Sequence, residues 1–61
     1  MVHKIKELCK ERNISVAEVE RKADLTERSI KRWDENEPSV YKVYRVAKIL
    51  GTTVEDILRA D

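Results

Sequence analysis

Between Thr26 and Glu37 the chain sets Glu27, Arg28, Lys31 and Arg32 at spacings of one, three and four residues. At about 100° per residue these side chains and Glu35 share one arc of about 140°, while Ser29, Ile30 and Trp33 cluster on the other side. A guanidinium on such a face can form a bidentate pair with a guanine, and a neighbouring carboxylate can accept from a cytosine amino group. Catalysis has no comparable constellation. There is one His, no Ser/His/Asp arrangement, and carboxylates scattered over solvent faces, whereas acid–base or nucleophilic chemistry needs paired groups at a cleft. His3 has no second ligand nearby, and no Cys/His cluster has metal-ligand spacing, so neither a metal nor another cofactor is expected.

The elements that must hold this face can be read in order. Val2, Ile5, Leu8 and Cys9 fall on one stripe of a first helix, about Val2 to Arg12, which makes Cys9 a small core residue rather than a reactive thiol. Ser15 and Glu18 form a capping box that starts a second helix at Val16, with Ile14 as a hydrophobic staple. Thr26 is expected to cap a third helix over about 27–36, Glu27 placing its carboxylate at the positive end of the dipole. Arg28 and Arg32 would then be like-charged i,i+4 neighbours, offset by Glu27–Lys31.

Pro38 breaks that helix and Ser39 caps a fourth through Leu50, with Val40, Val43, Val46, Ala47 and Leu50 inward. This helix carries Lys42, Arg45 and Lys48 and is the most basic. Gly51 suits the position after its end, and Thr53 with Asp56 suggests a further box starting a short fifth helix, from which Val54, Ile57 and Leu58 return to the core. The expected core comprises Ile5, Leu8, Val19, Ala23, Leu25, Ile30, Trp33, Val43, Ala47, Leu50, Val54 and Ile57, Trp33 being the largest contributor.

With 61 residues, residues 1–61 make a single domain that buries about 60% of its unfolded surface. Charged residues are 41% of the chain yet nearly cancel, leaving +1 with His neutral. Any attraction for a polyanion must therefore come from local arrangement. No apolar run approaches the roughly 18 residues of a membrane span, and the first ten residues are too charged for a secretory signal, so a reducing cytoplasm is the expected location.

The stretch Ser15 to Asn36, SVAEVERKADLTERSIKRWDEN, resembles the helix-turn-helix of the Cro and phage-repressor type, the XRE family of bacterial and phage transcription regulators. TERSIKRWDEN matches that family's recognition helix, and PSVYKVYRVAKILGTTVEDIL is similar to its last two helices. The resemblance implies an all-α, compact five-helix lambda-repressor-like domain with a helix-turn-helix. Its target would be a double-stranded DNA operator, bound by a homodimer whose contact lies near Thr52, Ile57 and Leu58.

Three positions depart from the family pattern. Asp24 stands where Gly is usual, one of the few other residues that visits the left-handed region at modest cost. Glu20 stands where Ala is frequent, too long to bury without a partner, and is expected to lean outward, towards the start of the recognition helix. Val16 stands where many members have a Gln that braces a phosphate or a base-reading side chain, so that side-chain contact does not carry over.

On this footing the resemblance assigns Glu27, Arg28 and Arg32 to base edges in the major groove. Ser15, Val16, Lys31, Asn36, Ser39, Tyr41 and Lys42 are the candidates for phosphates, since they sit at helix starts, in the loop or beside the reading face. Simple capping or solvation is the plainer role for each polar residue among them. The alternative function is a helix-turn-helix-like module that binds a protein, such as an antirepressor or, in antitoxin-type regulation, a toxin, favoured by near-neutral charge, by Glu27, Asp34, Glu35 and Glu37 around the reading face, and by Val16. DNA binding is preferred because two arginines on one exposed face make a competent reader.

Overall fold

Three of the helices stop in the same way, at a residue whose backbone is left-handed. In the computed structural model, which describes residues 1–59, α1 (Val2–Glu11), α2 (Val16–Lys22), α3 (Val40–Ile49) and α4 (Val54–Arg59) are joined by short loops and one 3-10 turn, Ile30–Arg32. Asn13 (φ 57°), Asp24 (φ 59°) and Gly51 (φ 70°) follow the last turns of α1, α2 and α3. In each case the residue after it donates its N–H five residues back: Ile14 to Cys9, Leu25 to Glu20 and Thr52 to Ala47, at 3.0, 2.8 and 2.9 Å. These are Schellman endings, which satisfy carbonyls that the helix leaves free. Gly51 is the one of the three where a side chain would also collide, because a Cβ there runs into the Arg12 guanidinium.

Helix starts follow the sequence less uniformly. Ser15 Oγ accepts from the Glu18 N–H at 3.1 Å and Ser39 Oγ from the Lys42 N–H at 3.4 Å. Thr53 Oγ1 accepts from the Asp56 N–H at 3.0 Å. Neither expected box is reciprocal: the Glu18 carboxylate pairs with Lys22 at 3.5 Å, and Asp56 takes the Thr52 hydroxyl at 2.7 Å and Lys4 at 3.8 Å. That last pair ties α4 to α1.

The helices close over one apolar core in which Ile5, Val19, Ile30, Val46 and Ile57 are fully buried and Trp33 nearly so. Val2, Cys9 and Val46 are buried with the core as their helix stripes suggest, while Leu8, Leu25 and Val54 are only partly buried against it. Burial pushes the Cys9 thiol above its ordinary range, consistent with an inert core cysteine.

Two apolar residues expected inward face water instead, Val40 at 58% and Leu58 at 54% exposure. Val40 opens α3, ahead of the first full turn that packs inward. Leu58 loses the core position to Ile57, since neighbours on a helix diverge by about 100°. Ile57, expected at a dimer contact, is sealed inside and has no free face for one.

The expected third helix over 27–36 is the main correction. Among the described residues there are four α-helices, and that stretch holds turns around the 3-10 turn at Ile30–Arg32. The all-α class stands, with the helix count reduced by one.

Trp33→Ala is expected to lose most of the cooperative transition. Such truncations cost about 3–5 kcal/mol, and a small domain has only about 5–15 kcal/mol in all. A melting curve close to that of the parent protein would show that Trp33 does not carry the core.

Candidate nucleic-acid interface

Residues 26–36, which follow the α2 turn, lack an α-helical ladder and are held from outside at both ends. At the near end Glu20, buried at 4% exposure, reaches from the inner face of α2. Its Oε1 accepts from the Arg28 N–H and its Oε2 from the Ile30 N–H, both at 3.1 Å. Glu20 does point to the start of the recognition segment as expected, but it lies inward rather than outward. The buried carboxylate is tolerated because both oxygens receive backbone donors. Thr26, expected to cap, is exposed; only its carbonyl is used, accepting from the Ser29 N–H at 3.2 Å.

Arg28 has φ 67°, an uncommon conformation for a long side chain. Beyond it the bonds run mostly three residues back: Arg32 to Ser29, Trp33 to Ile30 and Glu35 to Arg32, at 3.0–3.1 Å. Ile30 and Trp33 fix the segment in the core. At the far end Asp34 accepts from the Val2 N–H at 3.4 Å and lies 3.6 Å from the Met1 amino group, capping α1. Asp34 is thereby taken from the set of acids thought to flank the reading face.

Without the helix, Arg28 and Arg32 no longer share one face. Arg28 and Lys31 border a groove with Val16, Ala17, Glu27 and Lys6. Arg32 borders another with Ser29, Asn36, Glu37, Pro38 and Lys42. The offsetting pair Glu27–Lys31 is not among the ion pairs of the described residues. The Ser29 hydroxyl oxygen is buried without a partner beside the second groove.

Of the phosphate candidates, Ser15 and Ser39 are occupied as caps, with their residues still exposed, and Val16 is partly buried at the start of α2. Lys31, Asn36, Tyr41 and Lys42 are exposed, Tyr41 at 76%. The fold brings Arg32, Asn36 and Lys42 together and leaves Ser15, Tyr41 and Ser39 outside both grooves. Lys6 also borders the first groove. It sits on the polar side of α1 with no local mark, and only the packing of α1 beside α2 brings it to Arg28 and Lys31. The clamp by Glu20 was equally hidden, its position in the sequence signalling only an unusual residue.

A family model for the Cro/C1-type HTH DNA-binding domain matches residues 4–61. The chain belongs to that family of helix-turn-helix DNA-binding domains. No curated protein and no solved structure matches it. A DNA-binding regulator is the class this defines, and no helix among the described residues is long and apolar enough to cross a membrane.

The left-handed step at Arg28 has a direct test in stability. Arg28→Gly is expected to be neutral or stabilising by up to about 1 kcal/mol, because Gly adopts positive φ without a Cβ clash. Arg28→Val should cost about 1–3 kcal/mol, since a β-branched residue is poorly tolerated there. Equal denaturant midpoints for the two variants would mean that residue 28 is right-handed in solution.

Proposed function

We propose that the chain is a sequence-specific double-stranded DNA-binding repressor that presents the segment 27–36 to the major groove. The observation that carries this is the groove between that segment and the start of α3, where Arg32, Asn36 and Lys42 converge. Arg32 supplies a planar fork for a base edge, and Lys42 and Asn36 supply donors for the adjoining phosphates. Arg28 and Glu27 read from the neighbouring groove, with Lys31 and Lys6 towards the backbone. From Pro38 to Val54 the chain has three basic residues and no acidic one, so α3 gives the reading segment a positive flank despite the near-neutral total. Repression follows from occupying an operator, with no catalytic step and in a cytoplasmic setting.

Arg32 and Lys42 separate base reading from charge. Arg32→Ala should lose about 1–3 kcal/mol on a site selected from random DNA and relax the preference at one base pair. Lys42→Ala should weaken all sequences alike and lower the log–log salt slope by about one. Equal weakening of every sequence by Arg32→Ala would make it a phosphate clamp. If neither change alters DNA affinity in a folded protein, the protein-binding alternative replaces DNA. That alternative is favoured by one observation, the exposed Val40, Tyr41, Tyr44 and Leu58, a surface on which a protein such as an antirepressor could dock.

One reading segment covers too few bases for operator specificity, so two copies are expected on a pseudo-palindrome with half-sites about one helical turn apart. The contact of that homodimer includes Leu58 and extends to Pro38 and Val40, which line one groove with it. Sedimentation of the protein on its selected site should show two copies per duplex. A single copy at saturation would remove the dimer.

A further inference from the structure

We propose that Glu20 is a positioning residue for base reading: it fixes the left-handed step at Arg28 and thereby sets the directions in which Glu27 and Arg28 leave the backbone. The inference rests on the DNA reading given above and adds to it a determinant of specificity that would not itself touch DNA. Glu20 is on the inner face of α2, and its two oxygens hold the N–H groups of residues 28 and 30, with the N–H of residue 29 turned to Thr26. In a regular helix starting at Thr26, these N–H groups would point along the axis and Arg28 would be right-handed. The two bonds and the left-handed φ of 67° at Arg28 occur together, and α2, from which the carboxylate comes, is held in the core by Val19 and Ala23. On this proposal the step at Arg28 is set from α2, and Arg28 lies in the groove shared with Lys31 while Arg32 stays with Lys42.

A residue that merely supports the fold would change stability and weaken all sequences together. A positioning residue changes which base is preferred. Glu20→Ala and Glu20→Gln can each be compared with the parent protein by amide hydrogen exchange, by the amide–Hα coupling of residue 28, and by selection from random DNA. In Glu20→Ala, the Arg28 and Ile30 amides should exchange roughly tenfold or more faster while the Val46 amide is unchanged, since only a local opening is eased. The preference at one base pair should shift or relax by about tenfold, within the range of one base contact, with binding to random sequence little changed. Glu20→Gln keeps one acceptor oxygen and should fall between, retaining the order of base preference.

Unchanged exchange at residues 28 and 30 would remove the clamp. A Glu20→Ala protein that selects the parental site with the parental ratio, or weakens every sequence equally, would overturn the positioning role while leaving DNA reading in place. A parent protein that selects no DNA would instead bring down the functional reading and this inference with it. Should Glu20→Ala lose its cooperative transition, Glu20→Gln carries the test: a preference identical to the parent with faster exchange at Arg28 and Ile30 would also overturn it.

Discussion

Taking the Glu20 carboxylate out of water would cost several kcal/mol if it were left unpaired, and what offsets this is a pair of backbone N–H groups that the recognition segment cannot use in any other way. Each side solves the other's difficulty. The segment begins without a helical turn to satisfy its amides, and the carboxylate has no side-chain cation within ion-pair distance among the described residues. The same exchange fixes α2 against the segment, so the helix-turn-helix angle is held by hydrogen bonds as well as by Val19, Ala23 and Ile30. Asp34 plays the corresponding part at the far end, where α1 receives its cap from the segment. The segment is thus supported by its neighbours more than by its own backbone.

Much of the scaffold was legible because helix ends are local events. Ser15, Ser39 and Thr53 cap as their types suggest, and Gly51 ends α3 where the pattern stops. Asp24 takes the left-handed position usually given to Gly, which the turn required and a short polar side chain allows. The expected helix over 27–36 was not settled by the same signals. Ile30 and Trp33 lie three apart, a spacing that fits one face of an α-helix and equally the shorter repeat of a 3-10 turn. Thr26 was read as a cap on local grounds, but the stronger acceptor comes from Glu20, six residues earlier and on another element.

The placement of the candidate residues was only partly legible, because it depends on backbone geometry that their types do not carry. A helical wheel puts Arg28 and Arg32 together, and the left-handed step separates them into two grooves. Lys42 and Asn36 were expected near the reading face and do flank Arg32, because Pro38 and the Ser39 cap turn α3 back beside the segment. Lys6 could not be anticipated, since only tertiary packing makes it a neighbour of Lys31. Similarly, Leu58 and Ile57 are adjacent apolar residues on a six-residue helix, and nothing local says which one the core takes.

Charge then gives the positioning of the reading segment more weight than it would have in a basic domain. On the DNA reading, Lys6, Lys31 and Lys42 offer a few phosphate contacts, while Glu27, Glu35 and Glu37 stand exposed along the same segment and oppose the close approach of any backbone phosphate. On that reading sequence-independent attraction is small, and a misplaced duplex would meet unfavourable charge without compensation. Discrimination by such a protein depends on the correct site supplying partners for Arg32, Arg28 and Glu27 together, because a carboxylate that accepts from a cytosine amino group is favourable and the same carboxylate facing a base acceptor is not. A carboxylate reads bases usefully only if its direction is fixed. On the positioning proposal the buried Glu20, which accepts from the Arg28 N–H one residue from Glu27, would supply that constraint and connect an unusual residue inside the fold to the sign of the charge outside it.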